Sequence, residues 1–332
     1  MAILPVIFHH ATPRLLPGIA GKGAVGVDLF FALSGFLITT LLLRERRATG
    51  GVRLGAFYAR RSLRIFPLYY LVLAAYAVRA SLLPADSVVG QHFLKSLPYH
   101  ATYTANWLVD YDVSHPVMFA FSWSLCVEEQ FYWVWPVLVA LLPRRSLLAG
   151  LMLGAIALDT LAEHAFFSAW LPAGSLGLRM LTSFATPIGF GCVLALVLDA
   201  PGGFRAAERL LGLRATAPLL LAASVGWLMM LHTPHVPLSL TLAALVASVA
   251  IRPDHGLCRL LDTPWMRRLG GLSYALYLVH ITALGLVRRF LPEHAERTWV
   301  VLALGLPLSL LLAEAVHRAV ERPFLKLRAR FH

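Results

Sequence analysis

Two adjacent carboxylates, Glu128 and Glu129, stand at the start of an apolar segment, Phe131 to Leu142. Ionisable side chains are costly in apolar surroundings, so those that occur there usually serve a function. Consecutive helical residues point to different faces, and at least one of the two glutamates should face the interior of a helix bundle. This segment is therefore a candidate for acid–base chemistry.

Two further groups could take part in proton transfer. His10 follows the apolar stretch Ala2 to Phe8, and Asp28 lies near the start of another apolar segment. A histidine, with an unperturbed pKa of about 6.5, can accept a proton from a hydroxyl, and a neighbouring carboxylate orients the ring. Either Asp28 or Glu128 could be that carboxylate. The alternatives are a solvated histidine at a helix end and a helix N-cap at Asp28.

Three arginines, Arg60, Arg61 and Arg64, precede the apolar segment 67–83. Their spacing of three and four residues places them within one arc of a helix. A guanidinium group can bind two phosphate oxygens at once through two parallel hydrogen bonds, so the cluster is a candidate site for a phosphate-bearing molecule. Contact with anionic lipid headgroups is the alternative.

Transmembrane helices are predicted to carry these groups. Hydrophobic residues make up 58% of the 332 and charged residues 14%, against roughly 45–50% and about 25% in soluble domains. We expect an all-α integral membrane protein, a bundle of about ten transmembrane helices whose first helix, before His10, is truncated at the N-terminus. The nine other apolar segments are 24–43, 67–83, 129–142, 146–163, 180–199, 215–231, 236–251, 271–287 and 298–316.

The helices are predicted to form one domain over 1–332, with an outer loop at 84–121 and a basic cytoplasmic tail at 317–332. Arginine and lysine concentrate in alternate loops, which the positive-inside rule assigns to the cytoplasm. This orientation, rather than nucleic-acid binding, accounts for the net charge of +12. It places the three arginines in the cytoplasm and His10, Asp28 and Glu128 together on the outer side, where they could converge.

Small residues and isolated cysteines complete the pattern. Gly35 should allow close packing of two helices, since small residues favour such contacts in membranes. The three cysteines, Cys126, Cys192 and Cys258, lack the spacing of a disulfide framework or a metal site. Aromatic residues of the outer loop could form a sugar platform or an interfacial aromatic belt.

Five short blocks in this order resemble the membrane-bound acyltransferase 3 family, and the resemblance spans nearly the whole chain. The blocks are Val25 to Ile38, Phe57 to Pro67 with its Arg-Arg-x-x-Arg core, Trp123 to Tyr132, Leu269 to His280, and Val320 to Phe324. Two positions depart from the family. An arginine about ten residues before the histidine would precede Met1, and Phe121 stands where relatives often have histidine.

The resemblance implies a stand-alone O-acyltransferase of the bacterial cytoplasmic membrane. Such enzymes move an acyl group, commonly acetyl from acetyl-CoA, onto a hydroxyl of a glycan or lipid-linked sugar, and no metal is expected. By resemblance His10 is the essential histidine, with His9 as the alternative, and Ser124 and Glu128 form the Ser-x-x-x-Glu element.

In the mechanism that this implies, Arg60, Arg61 and Arg64 hold the phosphates of acetyl-CoA while His10 acts as the base or else relays the acyl group. Ser124, Asn106 or backbone N–H groups could stabilise the oxyanion, and Trp123 is a candidate substrate contact. The competing class is a transporter or proton-coupled flippase, because intramembrane His and Glu also form proton relays. The sequence specifies neither the acceptor nor the acyl chain nor the oligomeric state.

Overall fold

The computed structural model describes residues 2–12, 22–23, 25–111, 115–230, 232–328 and 331. Within these ranges the chain is built of helices and turns, without a β-strand. Three charged residues of the predicted loops and tail, Arg14, Asp112 and Arg330, lie outside the described residues.

The helices are numbered in chain order. They are α1 (Ile3–Ala11), α2 (Val25–Thr49), α3 (Leu54–Ser81), α4 (Val88–Ala101), α5 (Ala105–Leu108), α6 (Ser122–Leu141), α7 (Arg145–Glu163), α8 (Leu176–Leu181), α9 (Thr186–Leu198), α10 (Pro201–Leu211), α11 (Thr216–Met229), α12 (His235–Ile251), α13 (Cys258–Leu261), α14 (Pro264–Phe290), α15 (Thr298–Val316) and α16 (Arg322–Arg328). A 3-10 turn, Pro292–His294, precedes α15, and a π-helical turn, His317–Glu321, joins α15 to α16.

Six helical stretches of the described chain are long and apolar enough to cross a membrane. The bent pair α10 and α11, which meet at 72°, would make a seventh span if the two helices cross together. The six are Val25–Thr49, Leu54–Ser81, Arg145–Glu163, Leu176–Leu198, Pro264–Phe290 and Thr298–Arg328. The all-α prediction is confirmed and each predicted apolar segment overlaps a helix, whereas the number of about ten spans is not confirmed.

Two compact units make up the fold. Unit one comprises Met1–Leu43 and Pro187–Leu327, and unit two comprises Arg44–Thr186 and Arg328–His332. His10 and Asp28 therefore belong to unit one. The arginine cluster and the glutamate pair belong to unit two.

In unit one, α2 and α9 cross with their backbones in contact. A Cβ atom at Gly35 would collide with the backbone of Ile188, and one at Gly191 would collide with the carbonyl of Ala32. The Cys192 thiol lies 3.6 Å from the Gly35 carbonyl oxygen at the same crossing. The predicted close packing at Gly35 is confirmed. Its cause is that each helix has a glycine, Gly35 or Gly191, at the crossing.

In unit two, the segment predicted as an outer loop contains the helices α4 and α5. The Tyr69 hydroxyl donates to the His100 carbonyl at 2.7 Å, and the His100 ring Nδ1 lies 2.9 Å from Ser122 Oγ. Burial lowers the pKa of His100 to about 4 and raises the pKa of the Tyr111 hydroxyl. These buried contacts hold α4 against α3 and against the first turn of α6.

Candidate active site

His10 lies in the last turn of α1, half-buried. Its ring Nδ1 lies 2.9 Å from the Val6 carbonyl oxygen one turn earlier. A carbonyl only accepts hydrogen bonds, so Nδ1 carries the hydrogen and the neutral ring keeps its lone pair on Nε2. This tautomer leaves Nε2 available as a proton acceptor.

Two residues of α14 contact the His10 turn within unit one. The ring of His280, which is fully buried, lies edge-on to the His10 ring with centroids 5.0 Å apart. Arg288 donates to the His10 carbonyl at 2.8 Å and to the Ala11 carbonyl at 3.3 Å. The arginine thus pairs with carbonyls that the end of α1 leaves without helical partners, and fixes the backbone that carries His10.

Asp28 lies in the first turn of α2, two residues after Gly26. A Cβ atom at Gly26 would collide with the Ala2 carbonyl, and one at Gly23 would collide with the side chain of His9. The start of α2 therefore packs directly on α1. Asp28 and His10 stand on adjoining helices of the same unit.

Glu128 and Glu129 lie in the second turn of α6, in unit two. Glu129 is buried, with 5% of its surface exposed, whereas Glu128 is partly exposed. Glu128 accepts a hydrogen bond from the Tyr132 hydroxyl one turn later, and Glu129 lies within electrostatic range of Glu128 and Arg61. The predicted inward-facing carboxylate exists, and the more deeply buried member of the pair is Glu129.

The arginine cluster lies in the first half of α3. Arg60 pairs with Glu45 at 3.5 Å and donates to the Phe331 carbonyl at 2.8 Å. Glu45 also pairs with Arg53 at 3.3 Å. The carboxyl end of the chain adds Arg328, which is within electrostatic range of Arg60, Arg61 and Arg64. The cluster keeps an excess of positive charge suited to a phosphate-bearing ligand.

Arg61 connects this cluster to Glu128. Its guanidinium carbon lies 4.8 Å from the centroid of the Tyr132 ring, and the hydroxyl of that ring donates to Glu128. The predicted separation of the arginines from Glu128 is thereby corrected. Tyr132 lies one turn, roughly 6 Å, along α6 from Glu128, and Arg61 and Glu128 contact the ring and the hydroxyl of this one side chain.

The residues predicted to contact the oxyanion or substrate lie around the first turns of α6. Asn106 exchanges two hydrogen bonds with the Gln130 amide, at 3.1 and 2.8 Å, and Gln130 also donates to the Tyr103 carbonyl at 2.7 Å. The Ser124 hydroxyl donates to the Phe121 carbonyl at 3.2 Å, and Trp123 is 39% exposed. The hydrogen bonds of Asn106 give this residue a structural role, whereas the exposed indole of Trp123 is accessible to a ligand.

The predicted convergence of His10 and Asp28 with Glu128 joins residues of different units and stays a prediction. Two residues near the candidate groups, Tyr132 and Arg328, escaped sequence reasoning. Tyr132 ends one of the motif blocks, and this position is an available signal. Among the described residues, no group of three or more His, Cys, Asp or Glu side chains could hold a metal ion.

Comparison with known proteins identifies relatives that are named O-acetyltransferases. The chain is 26% identical, over a 353-residue alignment covering 98% of it and 56% of the relative, to a Staphylococcus aureus protein whose name, O-acetyltransferase, is provisional. It is 24% identical to the peptidoglycan O-acetyltransferase OatA of Listeria monocytogenes, with 98% and 54% covered. It is 24% identical to the O-acetyltransferase OatA of Staphylococcus aureus, with 98% and 56% covered.

The chain thus spans about half the length of the curated relatives that it matches. No solved structure is significantly similar to it. The acyltransferase domain that defines the acyltransferase 3 family matches residues 1–318. Because this match covers almost the whole sequence, the chain belongs to the acyltransferase 3 family.

Proposed function

We propose that this protein is an integral membrane O-acetyltransferase that transfers acetyl from acetyl-CoA to a hydroxyl of a cell-envelope glycan or a lipid-linked sugar. The observation that carries the proposal is the geometry of His10. Its Nδ1–H is held by the Val6 carbonyl, so Nε2 is the proton acceptor. Family membership supplies the reaction class, and a relative named for peptidoglycan supports a glycan acceptor.

The arginines are the proposed site for the phosphates of the donor. Among the described residues, Arg60, Arg61, Arg64 and Arg328 outnumber the two nearby carboxylates, that of Glu45, which pairs with Arg60, and that of Glu129, which lies within electrostatic range of Arg61. A cluster of guanidinium groups with excess positive charge fits the phosphates of coenzyme A. Acetyl-CoA would supply the acetyl group as an activated thioester.

His10 is the proposed general base. Its Nε2 takes the proton of the acceptor hydroxyl while that oxygen bonds to the thioester carbonyl carbon and the carbon–sulfur bond breaks. The same nitrogen then returns the proton to the leaving thiolate, so the ring is regenerated. Asp28, on the adjoining helix, or Glu128 stabilises the imidazolium.

Ser124 and Trp123 are the proposed contacts of the acceptor and the oxyanion, with Asn106 as a less favoured donor because its amide is already engaged by Gln130. We further propose that the protein spans the bacterial cytoplasmic membrane about ten times, as one domain with its arginine-rich loops and carboxyl end in the cytoplasm. The segment 84–121 then faces outward with the acceptor.

The proposal is tested with purified protein in sealed proteoliposomes. Acetyl-CoA labelled in the acetyl group is supplied on one side and a chito-oligosaccharide acceptor on the other. We expect label on the glycan together with stoichiometric release of free thiol. Vesicles that release no thiol but move an unmodified solute or lipid across the bilayer would instead support the transporter alternative. Protein that neither releases free thiol nor transfers label to the glycan would refute the proposed function.

A further inference from the structure

Tyr132 stands between two groups that the proposed function assigns to different tasks. Its ring is 2% exposed and receives Arg61 on one face at 4.8 Å, while its hydroxyl donates to the Glu128 carboxylate. Arg61 belongs to the proposed donor-binding cluster, and Glu128 is one of the two carboxylates proposed to support the base. One side chain of unit two thus contacts both groups.

The hydrogen bond of Tyr132 differs from those of neighbouring tyrosines. Tyr58, Tyr69 and Tyr70 each donate to a backbone carbonyl, those of Trp133, His100 and Ala101 respectively. A backbone carbonyl is an ordinary acceptor for a tyrosine hydroxyl, so these three hydrogen bonds need no further explanation. Tyr132 donates instead to an ionisable side chain, and a hydrogen bond to a charged group is stronger than one to a neutral acceptor.

The position of Arg61 affects this hydrogen bond. A cation over an aromatic face is attracted to the electron density of the ring. The positive charge also draws electron density away from the phenolic oxygen and makes its O–H a better donor to Glu128, as polarised hydrogen-bonded chains reinforce one another. A phosphate bound to Arg61 would neutralise part of that charge and so change the strength of the O–H contact with Glu128.

We propose that Tyr132 is a positioning residue that couples occupation of the donor-binding arginines to the Glu128 carboxylate. The inference rests on the proposed function and deepens it. Tyr132 touches neither reactant in this role and acts through its two contacts, the Arg61 guanidinium and the Glu128 carboxylate.

Two substitutions separate the two contacts. Tyr132→Phe keeps the ring beneath Arg61 and removes the hydroxyl, whereas Tyr132→Leu removes both. We expect Tyr132→Phe to lower kcat by about 10-fold or more and to leave the Kd and KM for acetyl-CoA within about twofold. Tyr132→Leu should show the same kcat loss and, in addition, a Kd weakened by about 3- to 30-fold.

Matched controls report the cost of altering a tyrosine or an aromatic ring in this unit. Tyr70→Phe deletes a hydroxyl bonded to a backbone carbonyl, and Phe131→Leu deletes a buried ring on the same helix. Both substitutions should lower the melting temperature, and neither should lower kcat selectively while the Kd for acetyl-CoA stays unchanged. A Tyr132→Phe variant that behaves like these controls would refute the proposal.

A double substitution tests the dependence on Glu128. If Tyr132 acts through that carboxylate, Tyr132→Phe should lower kcat no further when Glu128→Gln is already present. Independent, multiplicative losses would overturn the inference.

Direct binding of acetyl-CoA distinguishes a failure of the coupling from a failure of the proposed function. Wild-type protein that binds the donor without transferring acetyl refutes the proposed function alone. Equal donor Kd values for Tyr132→Phe and Tyr132→Leu refute the coupling, whether or not the protein turns over.

Discussion

Replacing Gly26 with alanine would push the helix that carries Asp28 away from the helix that carries His10. The added Cβ would lie 2.7 Å from Val6 Cγ2 and nearer still to the Ala2 carbonyl, whereas ordinary contact begins at 3.4 Å. The two helices must therefore separate by roughly 0.7–1 Å. A misplacement of about 1 Å can lower the rate on the order of 10²-fold, and overpacking costs about 1–3 kcal/mol of stability.

The assay combines initial rates of acetyl transfer with thermal unfolding followed by tryptophan fluorescence. We expect kcat for Gly26→Ala to fall on the order of 10²-fold while the KM for acetyl-CoA stays near the wild-type value, because the arginine cluster belongs to the other unit. Gly154→Ala in α7 is the matched control, since no atom lies within 4 Å of its added Cβ. A folded Gly26→Ala protein with wild-type kcat would show that the contact of α1 with α2 does not position the reacting groups.

Three further predictions concern the arginine cluster, the buried histidine of α4 and the helix crossing of unit one. Arg328→Ala should raise the KM for acetyl-CoA roughly 2- to 5-fold, with the exposed Arg205→Ala as control; equal KM values for the two variants would exclude Arg328 from the site. The pKa of His100 is about 4 in the fold and about 6.5 when unfolded, so the unfolded chain binds more protons between these values. The free energy of unfolding should fall as pH drops from about 6.5 to about 4, by roughly 3 kcal/mol, and His100→Gln should flatten this slope in denaturant titrations at several pH values. Gly35→Ala should cost about 1–3 kcal/mol in the same titrations relative to Gly154→Ala, and equal stabilities would contradict the tight crossing of α2 and α9.

The sequence predicts the helices well because apolarity alone identifies the stretches that must be buried or face lipid. It also points to Gly35, since a residue without a side chain is the means by which two helix backbones meet. The number of membrane spans is harder to predict from the sequence. Helix α6 carries Glu128, Glu129 and Gln130 among its apolar residues, and α12 has only 17 residues, so composition does not decide whether either crosses.

The contacts of the candidate site required the structure. His10 and His280 lie 270 positions apart, and only the packing of α1 on α14 brings their rings together. Charge topology assigns the arginine cluster and Glu128 to opposite sides, because it takes the apolar segment to begin at position 67, whereas helix α3 already begins at Leu54. Arg61 therefore lies in the second turn of this helix, and its guanidinium meets the ring of Tyr132 on the neighbouring helix.

The role of His10 is tested most directly by single-turnover transfer of labelled acetyl from acetyl-CoA to the glycan, comparing wild-type protein with His10→Ala and His9→Ala. We predict that His10→Ala binds acetyl-CoA with wild-type Kd and transfers acetyl at least about 10²-fold more slowly, whereas His9→Ala keeps most of its activity. Transfer by His10→Ala at the wild-type rate would contradict the assignment of His10 as the general base.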